Sequence, residues 1–269
     1  VSVPSAGGMA PMAMPAPGDA ASSGRKSGGA VYGAKLTVVD SPPVIALEAM
    51  LTFLETRGGI EQAGLFRIPG NTDDVNDVKA ELDTSETLTP ALVATILEDA
   101  DVEDVATLTK MWFRDRAAPI LDDFLDASIR KADTNNPPEN PESEDVSVSD
   151  PSDAAFAASV AGALSESNEA HAYCLIALLT FLHKVAMNYK VNMMTANNLA
   201  VCFAPNIFQS INDDPNAMTD MGANITLFRR LVRAAPLLCP DDDDDDDEHH
   251  HQRQLPPSLR VDDDDDGVN

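Results

Sequence analysis

The stretch EAHAYCLIALLTFLHKVAM, residues 169–187, is apolar on nearly every side of a helix drawn through it. A helix without a polar face belongs at the centre of a bundle, where neighbours cover it all round. Its nearly apolar part, Ala172 to Leu182, is eleven residues between His171 and His183. That is far short of the ~20 needed to span a bilayer, so direct membrane insertion is not expected. On its C-terminal side, Thr195 can cap a helix through Phe203 that Pro205 ends, and an amphipathic helix covers about Met218 to Ala235. On its N-terminal side, the Ala-rich residues 154–164 read as helix, and Pro119 opens another through about Lys131. A further helix from Glu103 to Asp115 carries Val105, Leu108, Trp112 and Phe113 on its apolar side. Asn71 can cap a helix with Val75, Val78 and Leu82 inside, and Ser41 one with Pro42 and Pro43 in its first turn, stopped at Gly58–Gly59. Period-two alternation is scarce and no strand is convincing. The expectation is one all-α helical bundle over residues 31–239.

Composition sets the remaining bounds. The chain has 269 residues, 43% of them apolar, enough for a sizeable core. Eighteen Lys and Arg against 45 Asp and Glu give a net charge of −27. Residues 241–269 hold 13 acids against two Arg, and residues 133–153 hold seven acids and no base. Residues 1–30 are Pro, Gly, Ala, Ser and Met without period. The expected organisation is a disordered segment 1–30, a folded domain with a solvated acidic insertion at 133–153, and a disordered acidic tail 240–269. An insertion of that kind should be removable at little thermodynamic cost. Nucleic acid and anionic lipid would be repelled by such a chain and are not expected partners. Cys174, Cys202 and Cys239 are an odd set on apolar stretches, which argues for a reducing, cytoplasmic setting over a disulfide framework. No secretory signal is visible, and a chain opening on Val1 is expected to be a piece of a longer protein.

Few residues carry a local chemical signature. No GxSxG, CxxC or HExxH pattern is present, and no metal site is expected. Gly24-Arg25-Lys26-Ser27 lacks the glycine directly before lysine and the preceding strand that a phosphate-binding loop needs. The acidic and histidine run 241–251 reads as a solvated tail, because consecutive residues of a flexible chain do not preorganise coordination. His171 and His183 read as helix-surface or satisfied core histidines. Arg67 is different: it stands between Gly64 and Gly70, with Leu65, Phe66, Ile68 and Pro69 to anchor the loop. One long cation is thereby presented from a rigid base, or else pairs with a nearby surface acid. Lys110 and Arg114, four apart, share one helix face and need something to balance them. Asn197, Asn198 and Asn206 sit beside an apolar helix, as caps or as a polar patch.

Together these segments resemble the Rho GTPase-activating protein (RhoGAP) domain family. Gly64-Leu65-Phe66-Arg67-Ile68-Pro69-Gly70 resembles its G-[IL]-[FY]-R-x-[SP]-G loop, and Lys110 with Arg114 its K-x-x-x-R helix. Pro119-Ile120-Leu121, Asn198-Leu199-Ala200 with Phe203-Ala204-Pro205-Asn206, and Tyr32-Gly33 with Leu36 resemble three further motifs in the correct order. The resemblance covers about residues 31–235 and implies a RhoGAP-type bundle. It implies that the chain activates a Rho-family small GTPase in its GTP-bound state and is not itself an enzyme. It implies no cofactor of its own, since GTP and Mg²⁺ belong to the GTPase. Cytoplasmic localisation follows, with membranes reached through the GTPase or other domains. Arg67 matches the family's arginine finger; Lys110 and Arg114 match residues that hold the finger loop and meet the acidic switch region. Asn198 matches the asparagine that contacts the switch and supports the finger, and Gly64, Gly70, Pro205 and Asn206 match structural positions. The family's usual Glu-Leu-Pro-x-Pro after the helix is here Asp115-Arg116-Ala117-Ala118-Pro119, and Ala204 replaces a glycine. The alternative implied by those departures is a module that binds Rho-type GTPases with little acceleration.

Overall fold

The computed structural model describes residues 29–85, 87–140, 145–147, 150–208 and 217–238. Among them the regular structure is all helical: α1 (Pro42–Thr56), α2 (Thr72–Thr84), α3 (Pro90–Ile96), α4 (Val102–Arg114), α5 (Asp123–Asn135), α6 (Pro151–Ser165), α7 (Glu169–Met187), α8 (Tyr189–Asn192), α9 (Ala196–Ile207) and α10 (Ala217–Leu238). The chain is an all-α bundle. Residues 1–28, with Gly24–Ser27, and 239–269, with Cys239 and the 241–251 run, lie outside the described residues.

The stretch expected at the centre is there. Helix α7 runs over 169–187, and Cys174, Leu175, Leu178, Leu179, Leu182 and Val185 are wholly buried. It packs against α1, α6, α9 and α10. By length and composition it could cross a membrane, and the bundle covers its apolar surface instead. Capping follows side-chain chemistry at most N-termini: Asn71, Thr89, Asp122, Asp150, Asn168 and Thr195 each accept a bond from an N–H of the first turn. Ser41 holds the N-cap position of α1, but its hydroxyl donates to the Val38 carbonyl at 2.7 Å and caps nothing. The buried indole of Trp112 donates to the Pro43 carbonyl at 2.8 Å and ties α4 to α1.

Two boundaries differ from expectation, and two short helices, α3 and α8, were not expected. Helix α5 opens at Asp123, not Pro119, because the Asp122 carboxylate receives the Leu125 N–H at 2.8 Å; Pro119, Ile120 and Leu121 are buried in the connection before it. Helix α9 passes through Pro205 to Ile207. The proline costs the bond its N–H would give the Val201 carbonyl. Burial of Ile207 and Phe208 carries the chain one turn further, and the Phe208 N–H closes on the Ala204 carbonyl at 2.9 Å. The short α3 had no sequence signal beyond the Thr89-Pro90 start.

The acidic insertion is the substantial correction. Residues 133–153 were read as too polar to fold, yet Asp133 lies in α5, Val146 is buried, and Asp150 caps α6. Asp153 is 2% exposed. Its carboxylate binds Arg230 Nε at 3.0 Å and Arg233 Nε and Nη2 at 2.5 and 3.0 Å. Arg230 also reaches Asp133 at 2.6 Å and lies 4.1 Å over the Phe156 ring, and Arg233 stands 3.6 Å from Asp150. The acids neutralise two arginines buried in α10, so this segment closes α5 and α6 onto α10.

Asp153→Ala removes the carboxylate that two buried guanidiniums share, leaving Arg230 only Asp133 and Arg233 only Asp150, and should cost about 3–5 kcal/mol in denaturant unfolding. Burial alone would push the Asp150 carboxyl up; bonds from the Ser152 hydroxyl and from the Asn140 and Ser152 N–H groups, with Arg233 nearby, hold it down at about 2. The depressed value makes its contribution full above the ordinary carboxylate value of about 4 and lost as pH falls through the folded one. Thermal melts between those values should show Asp150→Asn losing stability less steeply than the parent chain.

Candidate functional site

The loop between α1 and α2 begins where the Gly59 N–H turns back onto the Leu54 carbonyl at 2.7 Å. Gly64 has φ +74°, and a Cβ there would stand 3.0 Å from Ile68 Cδ1 and 3.3 Å from Arg67 Nη2. The positive φ favours glycine, whereas those two side-chain ends are exposed and could give way. Phe66 follows with φ +67°, a conformation that costs a bulky side chain energy. What holds it is burial: Phe66 is 1% exposed, edge-on to Phe203 at 4.8 Å and to Phe181 at 6.1 Å. With Phe66 pointing in, Arg67 and Ile68 point out, and both are exposed. Arg67 forms none of the ion pairs among the described residues, so the surface-pair reading of this arginine fails.

The loop ends on α4. The Gly70 N–H donates to the Thr107 hydroxyl at 2.9 Å and the Asn71 N–H to Asp104 Oδ1 at 2.7 Å. A Cβ on Gly70 would lie 2.2 Å from that carboxylate oxygen and 2.6 Å from the Asp104 Cα, so no other residue fits. Lys110, two turns along α4, donates Nζ to the Phe66 carbonyl at 2.6 Å. Burial lowers the pKa of this ammonium, and Arg114 beside it lowers it further. Arg114 lies one turn on, more exposed, with Nε on Asp115 Oδ1 at 2.8 Å. The carbonyl beneath the arginine loop is thus held by Lys110, while Arg114 bonds Asp115, whose carboxylate also stands 3.7 Å from Lys79.

Helix α9 supplies the third side. Burial pushes the Cys202 thiol up, while the charges of Lys110 and Arg67 pull it back. Asn198, at the start of α9, donates Nδ2 to the Met193 carbonyl at 3.0 Å. Its neighbour Asn197 accepts from Arg229 Nη1 at 3.4 Å. Asn206 turns back on the Cys202 carbonyl at 3.4 Å, and Pro205 is exposed within the last turn. Through Phe66, whose carbonyl bonds Lys110 and whose ring packs on Phe203, the arginine loop thus sits at one corner of α4 and α9, and Asn198 at the start of α9 is tied to Met193, next to the residue that bonds Gly64.

Two residues at this corner had no sequence signal. Asn192 is wholly buried and bonds to the base of the arginine loop; an asparagine ahead of two methionines looks like any turn residue. Arg116, noted only as a charge where an apolar residue was expected, is 1% exposed. It stacks 4.1 Å over Trp112, donates Nε to the Trp112 carbonyl at 3.0 Å and Nη2 to the Val31 carbonyl, and burial lowers its pKa to about 10. The departure after α4 therefore anchors the end of that helix to the N-terminal segment. His171 and His183 are satisfied by the Ile120 and Val232 carbonyls at 3.1 and 3.0 Å, and Cys174 and Cys202 are free thiols.

This corner, with one exposed arginine on a rigid loop over a lysine–arginine helix, lies within residues 43–212, which match the RhoGAP domain family model. The chain belongs to the RhoGAP domain family. It is 28% identical over 184 residues to the active breakpoint cluster region-related protein of Xenopus laevis, covering 66% of this chain and 19% of that protein. It is 24% identical over 210 residues to Rho GTPase-activating protein 35 of Mus musculus, covering 76% of this chain and 12% of that protein. It thus spans a fifth or less of the length of these relatives. Among solved structures, the BH domain from GRAF, the GTPase regulator associated with focal adhesion kinase, shares the fold with a TM-score of 0.56 at 23% identity, covering 74% of this chain and 96% of that one.

Lys110→Met keeps the aliphatic stem and removes the ammonium that donates to the Phe66 carbonyl. The loss of a bond to a part-buried acceptor should cost about 1–3 kcal/mol in denaturant unfolding.

Proposed function

We propose that this chain accelerates GTP hydrolysis by Rho-family small GTPases in their GTP-bound state, supplying Arg67 in trans. The observation that carries this reading is Arg67 itself: an exposed guanidinium on a loop whose preceding residue is locked in the core and held through its carbonyl by Lys110. Negative charge on the transferring phosphoryl is spread over its equatorial oxygens, and an arginine supplied from outside the GTPase is worth roughly 10³–10⁵ in rate. A guanidinium is always charged and presents a planar fork to those oxygens. Because the loop is already ordered, little reorganisation accompanies the reaction, which is where preorganised electrostatic catalysis gains.

The remaining residues take supporting roles in this reading. Lys110 fixes the loop, Arg114 meets the acidic switch region, and Asn198 contacts the switch from the start of α9. The chain makes and breaks no bond of its own; GTP and Mg²⁺ belong to the GTPase, and no cofactor is needed. A cytoplasmic place of action, at membranes only through the GTPase or other domains, fits that partner. The family membership and the relative named as a Rho GTPase-activating protein support the reading.

Single-turnover GTP hydrolysis by a panel of Rho-family GTPases, with and without the chain, tests it. Acceleration of at least one member is expected, and none across the panel overturns the proposal. Arg67→Ala should remove most of that acceleration, on the roughly 10³–10⁵ scale of a finger, with GTPase affinity and melting temperature nearly unchanged. Arg67→Lys should fail almost as badly, since an ammonium lacks the fork. Equal turnover by Arg67→Ala and the parent chain at matched saturation would sink the assignment.

A further inference from the structure

Asn192 closes α8 at the point where three parts of the site meet, and it is wholly buried. Its Nδ2 donates to the Ile60 carbonyl at 2.7 Å and to the Val185 carbonyl at 2.8 Å. Its Oδ1 accepts the Met194 N–H at 2.7 Å, and its backbone carbonyl accepts the Gly64 N–H at 2.8 Å. Both amide hydrogens are used and the side-chain oxygen is occupied, on three different segments. The next residue, Met193, has φ +60°, and its carbonyl receives the Asn198 side chain. One side chain and its peptide thus join the base of the arginine loop, the end of α7 and the segment that leads to Asn198.

We propose that Asn192 is a positioning residue for Arg67 and Asn198. The inference rests on the GTPase-activating reading of the site. Residues 57–70 carry no regular helix or strand, so the direction of Arg67 depends on where the loop is pinned. On one side Lys110 holds the Phe66 carbonyl; on the other Asn192 holds Ile60 and Gly64. Thr107 and Asp104 also hold Gly70 and Asn71 at the loop's C-terminal end, whereas the N-terminal half that leads into Arg67 is held to the bundle by Asn192. Misplacement of a reacting group by about 1 Å can cost about 10²-fold in rate. Only an amide serves here. A carboxylate of the same shape would set its oxygen against two carbonyls, and an aliphatic side chain would leave those carbonyls and the Met194 N–H without their partner.

The test uses the whole chain, with Asn192→Asp and Asn192→Ala, and a Rho-family GTPase that the parent chain activates. At saturation, the hydrolysis rate should fall by about 10²-fold in both variants, with affinity for the GTPase bound to a non-hydrolysable GTP analogue reduced by less than about tenfold. In an Arg67→Ala background, Asn192→Ala should cost far less further rate than in the parent chain, since only Asn198 is left to misplace. Hydrogen exchange should speed up at the Gly64 amide while the amides in the middle of α7 stay protected. A folded variant with an unchanged saturating rate overturns the inference, as does an equal further loss in the Arg67→Ala background. Should both variants fail to fold, the parent chain decides: a Gly64 amide that exchanges as fast as an open loop overturns the pinning, and one protected like α7 supports it. Failure of the parent chain to activate any GTPase overturns the functional reading instead, and the Gly64 exchange still decides whether Asn192 holds the loop.

Discussion

The burial of one phenylalanine organises the functional end of this bundle. Phe66 enters the aromatic core against Phe181 and Phe203 from a left-handed backbone that a bulky residue rarely adopts. Burying such a ring is worth about 1.5–3 kcal/mol, comparable with the roughly 1–3 kcal/mol of strain it offsets. The balance alone would not hold a loop still, and the structure adds polar restraints around it. Lys110 takes the Phe66 carbonyl, Asn192 takes Ile60 and Gly64, and Thr107 and Asp104 take Gly70 and Asn71. A residue that follows an inward-pointing Phe66 in this turn must point outward, and that residue is Arg67.

The same corner shows how charge is managed in an acidic chain. Lys110 is spent on the protein's own backbone, and burial lowers its affinity for a proton. Arg114 is kept beside Asp115, and Arg116 is withdrawn into the core over Trp112. Arg67, of the cations at this corner, stays exposed on its loop and is in none of the ion pairs among the described residues. Elsewhere in the bundle the balance runs the other way. Arg230 and Arg233 are buried, and Asp133, Asp150 and Asp153 compensate them. Part of the acidity that looked like a solvated loop is therefore the counter-charge of α10, and the net charge of −27 overstates how acidic the folded surface is.

Arg116 links the site to the start of the domain. Its guanidinium bonds the Val31 carbonyl, and Asp83 of α2 receives the Val31 and Tyr32 N–H groups at 3.1 and 2.8 Å. The N-terminal segment is thereby held against both α4 and α2. Tyr32 completes the seal by donating its hydroxyl to the Leu108 carbonyl at 3.3 Å, and burial pushes its pKa up. The helix that carries Lys110 and Arg114 is consequently fixed at its C-terminal end by contacts outside the loop it supports.

Local chemistry was enough for much of this. The apolar helix over 169–187 announces a bundle because a helix with no polar face must be surrounded. The caps Asn71 and Thr195 mark helix starts because their side chains satisfy N–H groups two or three residues away. Arg67 between two glycines could be singled out because turn chemistry is also local. What distance along the chain hides, only the tertiary structure decided. The fate of residues 133–153 depends on arginines about eighty residues further on, and composition within the segment carries no trace of them. Pro205 ends a helix by its own chemistry and is overruled by the burial of Ile207 and Phe208. Lys110, Arg114 and Arg116 are alike in sequence as cations in or just after one helix; one binds a carbonyl forty-four residues away, one an adjacent acid, and one an aromatic core. Asn192 reads as a turn residue until the fold brings Ile60 and Val185 to its amide, because a hydrogen bond that pins a loop is a property of two segments and is written in neither alone.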